Sequence, residues 1–211
     1  MKAVVITASK MKKTINGEDH SGKCVTAIDL EKGKIVRLVK NEQGAPMENP
    51  YCNMFTPLDV IEITVKEECP LLCQTENIIA DYQHAVNHGK FEGGISGVYA
   101  LYSKNKSSGA SFMSNCSYKI NDASKYKHSL EIIKVSDLEI EGNKCSFKYM
   151  GKQGRFFSLT DPEYIQEDEK TVSLDKAFLV ISIPTDNYNG NGYYKFVAAV
   201  FPCEKTGSAE E

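Results

Sequence analysis

The chain has 211 residues, 25 Lys and Arg against 28 Asp and Glu, a net charge of -3, and 41% apolar and 25% charged side chains. Those proportions are ordinary for a globular protein, and no apolar run approaches the roughly 18–20 residues of a membrane-spanning helix. A net acidic chain does not coat nucleic acid indiscriminately, and with Arg37 and Arg155 as its only arginines it is poorly equipped to read duplex bases, where the bidentate guanidinium is the usual tool.

Residues 2–8 are apolar and β-branched. They predict a first strand rather than a signal peptide, because Lys10, Lys12 and Lys13 follow at once. Residues 9–22 are polar, hold Gly17 and Gly22, and predict a loop. Residues 23–30 alternate and predict a second strand, and a turn at Glu31-Lys32-Gly33-Lys34 leads into a return strand at 35–40. Pro46, Pro50 and Pro57 make 41–57 a loop, and 58–66 alternate again. Thr75 is a candidate N-cap for a short helix within 75–90. Gly89, Gly93, Gly94 and Gly97 mark a domain boundary, with polar loops at 104–111 and 121–129. Strands resume at 130–135, 137–141, 145–150 and 155–160. Asp161-Pro162 opens a turn or short helix over 162–169. The stretches 177–183 and 193–201 are the most apolar, joined by a Gly-rich turn at 185–192. Short strands at close spacing with few helices predict a mostly β protein of small barrels.

Charge follows the same division. Residues 1–40 carry nine basic and four acidic side chains, 41–90 two and eight, 100–160 ten and five, and 161–211 four and ten. Each half opens basic and closes acidic, and basic strand faces on small barrels often meet nucleic acid. The seven cysteines (Cys24, Cys52, Cys69, Cys73, Cys116, Cys145 and Cys203) are an odd set without a secretory signal. They argue against a disulfide framework and for a cytoplasmic protein.

Two blocks carry a resemblance. One is Gly22-Lys23-Cys24-Val25-Thr26-Ala27 followed by Gly33-Lys34-Ile35-Val36-Arg37-Leu38-Val39; the other is Leu58-Asp59-Val60-Ile61-Glu62-Ile63 followed by Gln74-Thr75-Glu76-Asn77. With Ala8-Ser9, Leu159-Thr160-Asp161-Pro162 and Tyr194-Lys195-Phe196-Val197-Ala198-Ala199, their order resembles the bacterial and archaeal dual OB-containing domain family. The resemblance implies two OB-type barrels and a nucleic-acid or nucleotide-binding role. Ser9, Lys23, Cys24, Arg37 and Asp59 fall on family positions. The family strand around Arg37 also carries a Trp and a Pro; this chain has no Trp, and Leu38 stands where the Pro would be.

Several constellations bear on function. Lys10, Lys12, Lys13, Lys23, Lys34, Arg37 and Lys40 are candidates for a phosphate-tracking groove on the first barrel. The alternative is solvating lysines, with Arg37 partly buried beside a carboxylate such as Asp59. On the second barrel, Phe147, Lys148 and Tyr149, then Arg155, Phe156 and Phe157, then Tyr193, Tyr194 and Lys195 bring rings near cations. Alternation sends only one of Phe156 and Phe157 into the core. Cys69, Cys73, His84 and His88 form a weak candidate zinc set, two residues short of the finger spacing. No Cys or Ser carries a nucleophile signature, Gly93-Gly94-Ile95-Ser96-Gly97 lacks the Lys of a phosphate loop, and Asp161 and Glu163 flank a proline where Asp commonly starts a turn.

These observations predict two OB-like barrels packed together with short helices, over 1–92 and 93–205, with 206–211 frayed. The expected function is a non-catalytic module binding single-stranded nucleic acid or a nucleotide through Ser9, Lys10, Lys12, Lys23, Lys34, Arg37, Arg155, Phe157 and Tyr194. No cofactor, catalytic residue or membrane contact is expected. A protein-interaction module on the same scaffold is the alternative, and a zinc-binding or hydrolytic protein the third choice.

Overall fold

The computed structural model, which describes residues 1–48, 54–106, 109–165, 171–187 and 190–203, is built mainly of strands. In chain order these are β1 (Lys2–Ile15), β2 (Glu18–Asp29), β3 (Ile35–Val39), β4 (Asp59–Glu68) and β5 (Asn77–Lys90), then helix α1 (Gly94–Asn105). There follow β6 (Lys119–Ile120), β7 (Leu130–Glu141), β8 (Lys144–Tyr149), β9 (Lys152–Leu159), β10 (Thr171–Ser182), β11 (Tyr193–Tyr194) and β12 (Phe196–Pro202).

The first five strands close a barrel in the order β1-β2-β3-β5-β4, with β4 returning to β1. The second barrel repeats the pattern as β7-β8-β9-β12-β10, with β10 returning to β7. In each, the third and fifth strands run parallel and all other pairs antiparallel. This is the five-stranded OB barrel, twice. Each barrel is closed by strands from its own half.

The apolar runs are explained by strands buried on both faces. In β1, Ala3 and Val5 point into the first barrel, while Val4 and Ile6 point out. Those outward residues, with Ile28, meet Leu130, Ile132, Phe178, Val180, Ala199 and Phe201 of the second barrel in a separate apolar cluster. Helix α1 adds Val98 and Tyr102 to that junction. The second core lies between β7, β8, β9, β10 and β12, with Phe112, Met113, Cys116 and Ile120 of the 109–120 segment packed into it.

Two expectations are corrected. The loop predicted over 9–22 is the far half of a β1–β2 hairpin, paired from Lys10↔Lys23 to Ile15↔Glu18. Asn16 and Gly17, at φ of 52° and 84°, form its two-residue turn. The helix predicted over 75–90 is strand β5, because its start pairs parallel with β3 and its length is needed to close the barrel. The helix that does form begins at Gly94, inside the stretch read as a glycine-marked boundary. The expected fraying at 206–211 lies outside the described residues, as do Cys52 and most of the acidic part of 162–169.

Candidate functional site

Arg37 sits where the barrels meet, and its side chain is buried (3% exposed). Its Nη1 donates to Cys24 Sγ at 2.8 Å, and its Nη2 donates to Ser129 Oγ at 2.7 Å and Ser182 Oγ at 3.3 Å. Glu76 Oε1 lies 3.6 Å from Nη2 and also accepts from Ser129 Oγ. Burial disfavours the charged guanidinium, yet the Cys24 thiol and the Glu76 carboxylate hold its pKa above the ordinary value. Arg37 therefore fastens one barrel to the other and cannot reach a phosphate. The partner carboxylate is Glu76, whereas Asp59 pairs with Lys90 at 2.8 Å.

The same packing covers the outer side of β2 and β3. Cys24, Thr26 and Ile28 are all buried, Ile35 packs into the junction, and Thr26 shares a hydrogen bond with Thr7. On an OB barrel this is the usual ligand face, so the first barrel has given it to the second. The remaining predicted cations do not converge. Lys10 and Lys12 are exposed on the β1–β2 hairpin. Lys23, half-buried, stands opposite Lys10 and borders a hollow of about 100 Å³ that Ser9, Asp161 and Glu163 also line. Ser9 is buried (3% exposed), and Lys34 lies at the rim of a different cleft. Lys13 is tied down by donating to Gln43 O at 2.6 Å.

The second barrel keeps its corresponding face, β8–β9, uncovered. Cys145, Phe147, Gly154, Phe157 and Leu159 point inward, which leaves Lys144, Lys148, Gln153, Arg155 and Phe156 in solvent. Inward positions Gly154 and Phe157 are three apart rather than two, because the β8–β9 register shifts between Cys145 and Phe147. The extra residue is a bulge, with Phe156 at φ 63°, and it turns both Arg155 and Phe156 outward. Phe156 is 67% exposed, and Arg155 has no hydrogen bond or ion pair among the described residues. Phe157, predicted as a stacking ring, is instead fully buried against Phe147, with ring centroids 4.8 Å apart. Tyr194 precedes β12, the parallel neighbour of β9, and stacks on Tyr118 at 6.0 Å. Lys144 donates to Ser158 Oγ at 2.7 Å and Lys148 meets Asp137 at 3.0 Å, while exposed Glu139 and Glu141 of β7 bound the face on its other side.

Sequence reading named Arg155 and Tyr194 but missed Phe156, Lys144 and Tyr118 as site residues. For Phe156 a signal existed: Gly154 is the one inward position small enough to sit under two phenyl rings, since a Cβ there would meet Phe157 at 3.0 Å and Phe147 at 3.1 Å. That fixes the inward register and forces 155–156 out.

The zinc set does not assemble. Cys69 and Cys73 are buried, while His84 and His88 lie exposed on β5, beside Asp81 at 3.0 Å and Glu62 at 3.0 Å. Among the described residues no group of three or more His, Cys, Asp or Glu could hold a metal. Asp161 starts a turn, accepting from the Glu163 and Val200 backbone.

Buried charge also organises the end of the second barrel. Glu131, fully buried, accepts from Ser111 Oγ and the Phe112 backbone, each at 2.7 Å, and meets His128 Nε2 at 3.1 Å. Burial alone would raise its pKa; the His128 and Ser111 hydrogen bonds and Lys106 hold it below the ordinary value. Lys195, 1% exposed, donates to the Phe112 carbonyl at 2.5 Å, so opposite charges grip the two ends of one residue's backbone. Burial pushes the Lys195 ammonium down to about 8.

Among the described residues no helix is long and apolar enough to cross a membrane. No curated protein matches the chain. A murine DNA-binding protein, solved with double-stranded DNA, aligns over 96% of this chain and 98% of its own at 11% identity and a TM-score of 0.33, a likeness too slight to bear on fold or ligand. The match that decides is to a family model covering residues 4–200: the chain belongs to the dual OB-containing domain family.

Proposed function

We propose that the protein is a non-catalytic nucleic-acid-binding module whose contact surface is the β8–β9 face of the second barrel, and that it favours single strands. The observation that carries this reading is the bulge that turns Arg155 and Phe156 outward together on an uncovered OB face. An unpaired guanidinium beside an exposed ring can meet phosphate and stack on a base in one step. A base is open to such stacking only when it is unpaired, hence the preference for single strands. Tyr194 and Tyr118 extend the aromatic surface, and Lys144 and Lys148 supply charge along it. Lys10 and Lys12, exposed on the hairpin of the first barrel, add positive charge that attracts the strand at longer range.

Fluorescence anisotropy with a labelled oligonucleotide tests this. Arg155→Ala with Phe156→Ala should weaken single-strand binding by about 10- to 100-fold, the worth of one stacked base and one charge. Lys10→Ala with Lys12→Ala should weaken it less, and affinity should fall as salt rises. An unchanged signal with every oligonucleotide, at micromolar protein in low salt, would end the proposal.

A further inference from the structure

A strand edge lies open on another side of the molecule. Met1 N donates to Ile63 O at 2.7 Å and Ile63 N to Met1 O at 2.9 Å, next to the paired stretch of β1 and β4. Beyond Ile63, β4 runs on to Glu68, and among the described residues no strand pairs with it on that side. Backbone groups point alternately to the two sides of a strand. Val65, two residues on from Ile63, therefore turns its N–H and C=O away from β5. At the far end Cys69 N donates to Asn77 O, so Cys69 faces β5 and Glu68 faces away from it. Val65 and Glu68 are also the two β4 residues that line a cleft of about 520 Å³ between the barrels. The open backbone edge is thus one wall of that cleft. We propose that the cleft takes an extended acidic segment of a partner protein, paired as an added strand on β4.

Unpaired edges are a hazard that proteins cover or blunt. This one is blunted by a bulge between Val65 and Glu67, which sets its two open positions three residues apart. Few main-chain bonds are therefore on offer, and side chains must choose the occupant. Ile35, Val36 and Val65, none of them fully buried, give an apolar seat for alternate side chains of the added strand.

Charge sets the sign of the partner. Lys32, Lys34 and Lys127 line the cleft, all exposed, with no ion-pair partner among the described residues. Of its four carboxylates, Asp29 is engaged by the Glu31 and Lys32 backbone, and Glu76 by Arg37 and Ser129. Only Glu31 and Glu68 stand against the three free ammonium groups. In a chain of net charge -3 this locally positive cleft favours an acidic segment.

Fluorescence anisotropy with a labelled, end-blocked peptide of alternating valine and glutamate tests the site, with no nucleic acid present. Saturable binding below about 1 mM is expected. Lys34→Glu with Lys127→Glu, both exposed positions, should weaken it by about tenfold or more, because like charges would then face the peptide. A main-chain ladder makes a sharper demand. Only alternate amides of an added strand face β4, so of two peptides, one N-methylated on its valines and the other on its glutamates, one should bind like the parent and the other should not. Arg155→Ala with Phe156→Ala should leave peptide binding unchanged, so this site and the β8–β9 face can fail separately. The proposal is overturned by no saturation at about 1 mM peptide, or by equal binding of the two methylated peptides. Displacement of the peptide by a single-stranded oligonucleotide in the Arg155/Phe156 variant would give the cleft to nucleic acid and overturn it too.

Discussion

Arg37 satisfies Cys24, Ser129, Ser182 and Glu76 from one guanidinium, drawing on both barrels. Only a planar group with several fixed donors can do this. Arg37→Ala leaves the nearly buried Glu76 carboxylate uncompensated and should cost about 3–5 kcal/mol in urea denaturation. Arg37→Lys keeps the charge but not the fork and should cost about 1–3 kcal/mol. Lys195 has the opposite character, because its charge is held in the core at a cost. Its folded pKa of about 8 lies below the ordinary 10.5, so between those values the unfolded chain binds more protons and stability rises with pH. Below pH 8 the full penalty applies, on the order of 3 kcal/mol. Lys195→Met removes that dependence. The stability gap between variant and wild type should therefore shift in favour of wild type as pH climbs from 8 to 10.5, and a gap that stays flat would show the ammonium to be unperturbed.

At the scale of elements, what could be read from the chain was set by how many faces each strand buries. Strands with one wet face, such as β8 and β4, alternate and were legible. The runs in β1, β10 and β12 marked strands correctly but hid their meaning: continuous apolar character comes from contacting a barrel core on one side and the other barrel on the opposite side. The hairpin turn at Asn16-Gly17 was written plainly, since that pair favours two residues at positive φ, yet the polar arm around it read as a loop. Strand β5 read as helix because nothing local reveals its pairing with β3, forty residues earlier in the chain. Burial of Arg37 beside a carboxylate was one of the two sequence readings, but its actual partners were not legible, because Glu76, Ser129 and Ser182 are distant in sequence. The bulge in β9 was half legible through Gly154. Gly154→Ala would press a methyl to 3.0 Å from Phe157 and should lower stability by about 1–3 kcal/mol on thermal unfolding. It should also disturb Phe156 and weaken oligonucleotide binding, whereas Phe156→Ala should weaken binding with no loss of stability, its ring being exposed.

At the scale of the molecule, two barrels of one topology meet through unlike faces. The first contributes the outer side of β1–β2–β3, the second the outer side of β7, β10 and β12. An identical pairing would have hidden both β2–β3-type faces; the asymmetric one hides the first and frees the second. The junction also makes the barrels depend on each other. Separating them would expose Val4, Ile6, Ile28, Phe178 and Phe201 to water and strand the Arg37–Glu76 pair away from Ser129 and Ser182. Burial of that kind is worth about 1.5–3 kcal/mol per large side chain, comparable in sum to the whole stability of a small barrel. Neither barrel should then survive the loss of the other, and calorimetry should record one transition whose van't Hoff and calorimetric enthalpies agree. Phe178→Ala, which removes a junction ring packed on Tyr99 at 5.0 Å, should cost about 3–5 kcal/mol. Combined with Arg37→Ala it should lower the midpoint of the single transition further without splitting it. Two transitions already present in the unmodified protein would mean that the junction does not couple the barrels.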